Sequence, residues 1–375
     1  MILANTSIWE DSIINNCDIA ILGGGFLGLW SAYFLKQKNP KLNIHIYERD
    51  SIGLGASTRN AGFSCFGTVG EFVADTLISS EEEAFKSIQE RYLGLQEIQK
   101  FIKSYNIDID YENIGGYELL ESEKFESVVD KIPYLNALMK EHLNLDNTYQ
   151  YSHIKNTKLH FNSNKFNHII SNPYEAGVNS AKLLMGLKHI NESLGVKIFQ
   201  GTEVKAIEDN TIFLSNNYRE YQVKTKKIVL ALNSFVNKFI NHTITPCRGQ
   251  IIWCDNLKLN FKGTYHFDDG YYYFRTIGDD QLLIGGARNS DFETEYTQEY
   301  SKNSKIQEKL LSFVHQELKV SDFIIKKQWQ GIMGFSHNKQ SIIKEVNPHM
   351  WHLHACNGMG VALTPLIAKQ FSDLI

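Results

Sequence analysis

The chain of 375 residues is 43% hydrophobic and carries 38 Lys and Arg residues against 42 Asp and Glu residues, a formal net charge of -4. This length allows two domains or one elaborated α/β unit. The acidic balance, without a basic stretch, argues against nucleic acid as a partner, and the longest apolar run is too short for a membrane span.

The opening segment and the cysteines bear on location. The first sixteen residues lack a cationic segment and include Glu10 and Asp11, so we do not expect a signal peptide. The five cysteines are odd in number and no pair has CxxC spacing, which favours reduced thiols over a disulfide framework or a zinc site. We therefore expect a cytoplasmic protein.

A βαβ unit is predicted near the start of the chain. The apolar run CDIAIL at 17–22 is typical of a buried parallel strand. A helix is predicted over 28–38, ended by Asn39-Pro40, and IHIYE at 44–48 is the second strand. Such units are the building blocks of nucleotide-binding sheets.

The turn of this unit contains Gly23-x-Gly25-x-x-Gly28. In a dinucleotide fingerprint the three glycines allow a tight turn, the approach of a pyrophosphate and close packing of helix on strand. Glu48, twenty residues beyond Gly28, is placed to accept hydrogen bonds from a ribose diol and would repel the 2′-phosphate of NADP. We interpret Arg49 as a surface or adenine-stacking residue. A glycine turn alone is weak evidence, but this context predicts dinucleotide binding.

The rest of the chain alternates helical and extended segments. Ser80 and Glu83 form a capping box before an amphipathic stripe. The predicted elements are a helix over 80–103, a strand in 113–122, a helix to about 142, a helix over 174–193, strands at 196–200 and 227–232, β-structure over 247–290, a helix near 304–318 and a final helix to 375.

Two segments suggest a family. GASTRNAGF at 55–63 follows the second strand, and ACNGMGVALTPLIAKQF at 355–371 closes the chain. Together with the glycine turn they resemble the FAD-dependent oxidoreductases of the D-amino-acid oxidase-like (DAO) superfamily, among them glycine and sarcosine oxidases and especially γ-glutamylputrescine oxidase-like proteins. The resemblance covers nearly the whole chain, since CRGQIIW, LLIGGAR and WQGIMGFS also match in order.

This resemblance implies an α/β fold, α+β overall. It has a Rossmann-like FAD-binding domain with a mostly parallel sheet and a β-rich antiparallel substrate domain with helices. We predict that the discontinuous FAD-binding domain comprises 1–80, 150–240 and 325–375. The substrate domain is then 81–149 and 241–324.

The resemblance also places residues along a non-covalently bound FAD. The glycines of the turn would hold the pyrophosphate, Glu48 the adenine ribose and Val204 the adenine, while Asn233 stands where relatives usually have glycine. The predicted FAD-contacting residues are Gly23, Gly25, Phe26, Leu27, Gly28, Glu48, Arg49, Ala56, Ser57, Asn60, Ala61, Gly62, Phe63, Val204, Asn233, Gly331, Asn357, Gly358, Met359, Gly360 and Val361.

The C-terminal glycine loop has two interpretations. In the first, Asn357–Gly360 leads into a helix whose N-terminus stabilises the negative charge of a reduced flavin. In the second it is an ordinary turn in which Thr364 caps the helix and Pro365 takes its first position. The N-terminal fingerprint favours the first.

Substrate-binding candidates come from GYYYFR. A strand there would place Tyr271, Tyr273 and Arg275 on one face. Arg275 would clamp a substrate carboxylate or else pair with a nearby acid such as Asp279. Arg248 and Arg288 are weaker candidates, and no catalytic acid–base residue is assigned.

Several further residues bear on the electron acceptor, a metal site and the cofactor. Sarcosine-oxidase-like relatives place a lysine over the flavin to help oxygen react, and Leu283 aligns with it, which admits an acceptor other than oxygen. His337, His352 and His354 lack the ligand spacing of a metal site, so no metal is predicted. Cys65 is interpreted as a small buried residue beside the cofactor.

The sequence therefore predicts an enzyme that oxidises a C–N bond of a small amine or amino acid by hydride transfer to FAD, with oxygen or another electron acceptor. One alternative is a dehydrogenase acting on a 2-hydroxy acid or using a non-oxygen acceptor. Another is a flavin-binding protein with a degenerate substrate site. A tRNA-modifying module is disfavoured by the absence of a basic stripe.

Overall fold

The computed structural model describes residues 7–15, 17–51, 53–241 and 244–375, so the first six residues of the opening segment lie outside the described part. Within that segment the structure has a helix, Ile8–Ile14, that we did not predict. Ser7 and Glu10 form a capping box at its start, which is the sequence pattern that could have indicated it.

The first sheet contains the predicted βαβ unit. Strand Cys17–Leu22 runs parallel to both Ile44–Tyr47 and Glu220–Leu230, and an antiparallel strand lies at one edge. Its strands are β1 Cys17–Leu22, β2 Ile44–Tyr47, β8 Lys197–Phe199, β9 Glu203–Glu208, β10 Thr211–Ser215, β11 Glu220–Leu230, β17 Ile342–Asn347 and β18 Met350–His354. The strand order is β17-β18-β11-β1-β2-β8; in addition, β10 pairs with β11 and β9 pairs with β10. This order confirms a mostly parallel sheet.

The second sheet is antiparallel except where β13 meets β4. Its strands are β4 Gly116–Leu120, β5 Gln150–His153, β6 His168–Asn172, β12 Thr245–Asp255, β13 Thr264–Phe267, β14 Tyr272–Ile277, β15 Gln281–Gly286 and β16 Ile324–Phe335. A two-stranded ribbon, β3 Phe63–Ser64 with β7 Ala176–Gly177, lies apart from both sheets. This arrangement confirms the predicted α/β fold with a β-rich second part.

The helices cover the sheets and connect them. They are α1 Ile8–Ile14, α2 Phe26–Lys38, α3 Ala56–Arg59, α4 Val69–Thr76, α5 Glu81–Tyr105, α6 Ser122–Val128, α7 Lys131–Leu143, α8 Ser180–Ser193, α9 Phe292–Glu295, α10 Ser304–Gln316 and α11 Gly360–Leu374, with 3₁₀ turns at Ile154–Asn156, Asn233–Lys238 and Arg288–Ser290. The capping box predicted for α5 is present. The segment predicted as one helix to 142 is divided into α6 and α7, and α8 begins at Ser180 rather than at 174 because Ala176–Gly177 is extended.

The predicted domain boundaries stay a prediction. Sheet membership favours one change to these boundaries, and helix packing favours another. The strands at 150–153 and 168–172 belong to the second sheet, and helix α5 packs against α11, which also covers α2 on the first sheet. We therefore propose that 150–172 belongs with the substrate part and that α5 belongs with the FAD-binding part.

Two further observations concern location. All five cysteines are free thiols. Within the ranges that the structure describes, no helix combines the length and apolar character that crossing a membrane requires.

Candidate functional site

A cavity of about 700 Å³ lies between the two sheets. One wall is formed by the glycine turn after β1, the end of β2 and the start of α11. The opposite wall is the face of the second sheet that carries Gly249, His266, Tyr273 and Met333. Its volume suits a cofactor or small ligand, and the carboxyl ends of parallel strands are where open α/β sheets bind ligands.

The glycine turn has the geometry of the fingerprint. Gly23 has φ 109°, which is costly for other residues. A Cβ atom at Gly28 would lie 2.0 Å from the carbonyl oxygen of Gly23, so the strand and the helix meet backbone to backbone there. Helix α2 starts at Phe26 with Gly25 as its N-cap, and its N-terminus therefore opens onto the cavity. This end is suited to an anion such as a pyrophosphate.

The loop 55–63 packs against this turn. Ser57 Oγ accepts a hydrogen bond from the backbone N–H of Phe26 (2.9 Å), which joins the loop to the first turn of α2. Asn60 makes two hydrogen bonds within its own loop. Its Nδ2 donates to the carbonyl of Ala56 (3.0 Å), and its Oδ1 accepts from the N–H of Gly62 (2.9 Å). The loop is consequently fixed by its own polar side chains with its backbone against the cavity.

Glu48 and Arg49, at and after the end of β2, line the cavity. The Glu48 carboxylate accepts hydrogen bonds from the N–H groups of Gly24 (2.8 Å) and Asp50 (3.0 Å). Burial raises the pKa of Glu48, and these two hydrogen bonds oppose the rise. The guanidinium of Arg49 lies 4.4 Å from the ring centroid of Phe235.

Asn233 has a backbone conformation that glycine adopts most easily. Its φ is 52°, in the left-handed region, which asparagine tolerates better than most residues. Nδ2 donates to the carbonyl of Ile332 (2.9 Å), while the buried Oδ1 has no hydrogen-bond partner among the described residues. Asn233 lines the cavity, as does Val204 at the start of β9.

The observed start of helix α11 distinguishes between the two interpretations of the C-terminal loop. Helix α11 begins at Gly360, and Thr364 lies inside it, where its hydroxyl donates to the carbonyl of Gly360 (2.7 Å). The ordinary turn capped by Thr364 is therefore wrong. Asn357 and Gly358 have φ values of 43° and 81°, and this left-handed bend brings the helix N-terminus to the cavity.

Most of the predicted FAD-contacting residues line this cavity. Two do not, Gly28 and Gly62. Gly28 packs on the turn, and Gly62, with φ 72°, turns the loop while its carbonyl is bound from behind by Arg275. Their individual contacts with FAD stay predictions.

Arg275 is placed differently from the prediction. Tyr271 and Tyr273 line the cavity, but Arg275 does not. Its Nη1 donates to the carbonyls of Gly62 and Val178, and its Nη2 pairs with Glu112 at 3.2 Å. The geometry therefore disfavours the substrate clamp, because these donors hold the loop that faces the cofactor site. The pairing with an acid is present, but the acid is Glu112 and not Asp279, which pairs with Lys262.

The other two arginines also differ. Arg248 is buried against Glu295 at 2.7 Å and lies outside the cavity. Arg288 lines the cavity, with its guanidinium 4.7 Å from the Phe335 ring centroid, and none of the described carboxylates lies within ion-pair distance of it. Leu283 is buried outside the cavity lining.

The histidine and cysteine candidates from the sequence bear on a metal site and a cofactor contact. No group of three His, Cys, Asp or Glu side chains within the described ranges could hold a metal ion. His354 lines the cavity, and burial lowers its pKa to about 4. Cys65 is buried with Sγ 4.0 Å from the sulfur of Met359, and burial raises its pKa well above the usual value. A protonated buried thiol fits the packing role that we predicted.

Sequence reasoning missed an acidic region beside the predicted ring end of the cavity. Glu71, Asp75 and Asp269 line it, and Glu118 and Glu175 are buried behind it. The Thr68–Glu71 spacing indicates a capping box, which is present, and nothing in the local pattern showed that this glutamate also reaches a cavity.

The buried Glu175 leads to a prediction about pH. Burial raises its pKa to about 8, so the folded protein holds a proton that the unfolded chain loses near pH 4.5. The contribution of Glu175 to stability should therefore be fully present below about pH 4.5 and be lost as pH rises toward about 8, a change on the order of a few kcal/mol. In Glu175→Gln this fall should be smaller, as measured by urea unfolding across that range.

The exposed Glu141 provides the control for this test. Glu141→Gln should retain the pH dependence of the wild type. If Glu175→Gln also retains it, the buried carboxyl is not protonated in the folded protein.

These features define a dinucleotide-binding α/β fold joined to a second, largely antiparallel sheet that forms one wall of the cavity. A family model described as FAD dependent oxidoreductase (DAO) matches residues 18–374. The chain belongs to this family, and it is an oxidoreductase whose cofactor is FAD. The residues present fit that cofactor, because the glycine cradle, the two helix N-termini and the Glu48 carboxylate all border one cavity.

Individual relatives are distant. The chain is 23% identical to the probable oxidoreductase OrdL of Haemophilus influenzae and 21% identical to the γ-glutamylputrescine oxidoreductase of Escherichia coli; each alignment covers 96% of this chain and 83% of the relative. Glycine oxidase from Bacillus cereus has a similar fold, with a TM-score of 0.73 at 18% identity over 96% of this chain and 94% of that one.

Proposed function

We propose that the protein oxidises a C–N bond of a small amine or amino acid. The substrate carbon would lose hydride, and the resulting imine would hydrolyse in water. FAD, when bound, supplies the chemistry of accepting that hydride at N5. One observation carries the proposal: the dinucleotide turn and a face of the second sheet with titratable side chains border the same cavity. The names of the two relatives, γ-glutamylputrescine oxidoreductase and glycine oxidase, support this substrate class.

The residues of this chain have distinct roles in the proposal. Arg288 lines the cavity and has no carboxylate partner among the described residues, so it is the candidate for binding a carboxylate on the substrate, in place of Arg275. Burial raises the pKa of Tyr273 to about 12, so its phenol stays protonated and can donate a hydrogen bond. The N-terminus of α11 would stabilise negative charge on the cofactor.

An amine fits the cavity better than a 2-hydroxy acid. Glu71 lines the cavity, and no described Lys or Arg lies within ion-pair distance of it. Its negative charge attracts an ammonium ion, which a 2-hydroxy acid lacks. The electron acceptor is a separate question, because the aligned Leu283 offers no cation beside the cofactor. We retain the cytoplasmic location as part of the proposal, in keeping with the free thiols.

A substrate panel tests this proposal. Holoenzyme is incubated with primary amines, amino acids and 2-hydroxy acids, and both peroxide release and reduction of an artificial acceptor dye are measured. We expect turnover with members of the first two classes, and dye reduction without peroxide would identify a dehydrogenase. Turnover with 2-hydroxy acids alone would contradict C–N oxidation, and no turnover with any class would favour a degenerate site.

A further inference from the structure

A histidine in the cavity wall has no hydrogen-bond partner among the residues that the structure describes. His266, on β13, is 5% exposed, and neither ring nitrogen has a hydrogen-bond partner among the described residues. Its ring meets Phe63 edge to face at a centroid distance of 5.2 Å, beside the loop predicted to line the flavin. A buried imidazole that lines a cavity and makes no hydrogen bond has lost its hydration without replacement. This arrangement points to a ligand that supplies the missing partner.

Glu71 is the acid closest to this ring. Its Oε2 accepts the N–H of Thr68 (3.0 Å), while Oε1 lies 3.9 Å from His266 Nδ1, which is too far for a direct hydrogen bond. Two neighbouring acids are paired with lysines, Asp269 with Lys124 at 2.7 Å and Asp75 with Lys339 at 2.7 Å. A third, Glu118, is the register partner of His266 on β4, and burial raises its pKa to about 7. No described Lys or Arg lies within ion-pair distance of Glu71.

Glu71 Oε1 and His266 Nδ1 lie 3.9 Å apart, and because Nδ1 is fully buried, a small displacement of the ring would admit an ammonium nitrogen between them. An atom placed about 2.9 Å from both would be at ordinary N–H···O and N–H···N distances from each. We propose that Glu71 and His266 bind the reactive amino group of the substrate as an ammonium ion, and that His266 then accepts one of its protons. This inference rests on the proposed function.

The proton transfer is what C–N oxidation requires. An ammonium ion has no lone pair to form the C=N bond, so its nitrogen must lose a proton before the carbon loses hydride. R–CH₂–NH₃⁺ gives that proton to the neutral imidazole, and the N–H electron pair stays on nitrogen. It then forms the C=N bond as hydride leaves to FAD, the oxidant. The resulting imidazolium is stabilised by Glu71.

The pKa of the imidazole agrees with this geometry. Burial lowers the pKa of His266, and the Glu71 charge raises it in part. The ring is therefore neutral before substrate arrives and can act as a base. The position of the Glu71 carboxylate is also sterically defined. It packs against Gly270, where an added Cβ atom would lie 2.3 Å from Glu71 Oε1.

Binding of a non-reactive cation tests the ammonium subsite without turnover. tert-Butylammonium has no hydrogen on the carbon attached to nitrogen and cannot form an imine, and tert-butanol is its neutral counterpart. We expect calorimetric titration of holoenzyme to show binding of the cation only, and Glu71→Gln to weaken it at least about tenfold. Glutamine preserves a capping box, so the fold should be retained.

The chain contains a matched control for this variant. Glu83 occupies the same position in the capping box of Ser80 but lies outside the cavity. Glu83→Gln should bind tert-butylammonium as the wild type does. Equal binding by Glu71→Gln, or no binding by the wild type, would overturn the subsite.

A pH profile tests the role of His266. For His266→Gln we expect the rate of anaerobic flavin reduction by an amine to fall by about 10²–10⁴ near neutral pH and to recover as pH approaches the pKa of the free amine. An unchanged profile would overturn the proton transfer. If no amine reduces the wild-type flavin, the proposed function fails instead, whereas the tert-butylammonium result still decides the subsite.

Discussion

A Gly28→Ala protein is expected to purify without bound FAD. The new Cβ atom would lie 2.0 Å from the carbonyl oxygen of Gly23 and 3.3 Å from Ile21 Cγ2. Because the closest atom belongs to the backbone, the turn itself must move, and it is this turn that presents the N-terminus of α2 to the cavity. Overpacking of this kind costs about 1–3 kcal/mol, in addition to the loss of the pyrophosphate site. The flavin-to-protein absorbance ratio after purification with added FAD measures the effect.

Gly186→Ala is the matched control. Gly186 also lies inside a helix, α8, but its Cβ atom would approach only the side chain of Ile107, at 2.7 Å, and it does not line the cavity. Both substitutions gain the same helix propensity, about 1 kcal/mol. Full flavin content in Gly28→Ala would show that the turn does not hold FAD.

Replacement of Arg275 should have the second large effect. In Arg275→Met the carbonyls of Gly62 and Val178 lose their donor and Glu112 loses its cation. Removing a charged donor from two carbonyls costs about 1.5–3 kcal/mol per hydrogen bond, whereas Glu112 is one-third exposed and its lost pairing adds little. We expect a corresponding loss of stability in urea unfolding, together with weaker retention of FAD, because the loop 60–63 is no longer held.

The substrate-clamp interpretation predicts the opposite pattern. A carboxylate clamp would leave Arg275→Met stable and FAD-bound, with a raised KM for acidic substrates only. The variant Arg275→Lys further separates the substrate-clamp interpretation from the loop-holding one. It keeps the charge but loses the planar guanidinium that reaches both carbonyls. We expect it to be intermediate in stability.

The βαβ unit was predictable because its determinants are local. The apolar run 17–22, the glycine spacing and Glu48 all lie within about thirty residues, and the observed strands and helix match them. The face of β14 was predictable for the same reason: Phe274 packs into the core of the second sheet, while Tyr273 lines the cavity. Alternation gives the face of a strand residue but not its partner, which is why the role of Arg275 was missed.

The acid and histidine beside the cavity could not be predicted in this way. Glu71 and His266 are separated by 195 positions and meet only because β13 of the second sheet lies over the start of α4. Locally, Glu71 is part of an ordinary capping box and His266 is one polar residue in a short strand. Their relation exists only in the tertiary structure.

Anaerobic reduction of the bound flavin is the most direct test of C–N oxidation. Holoenzyme is mixed without oxygen with a series of amines and amino acids, and the visible flavin band is followed together with the imine-derived carbonyl product. We predict bleaching with at least one of them and one carbonyl product for each flavin reduced. A flavin that stays oxidised with every amine and amino acid, yet bleaches with dithionite, would contradict the proposed function.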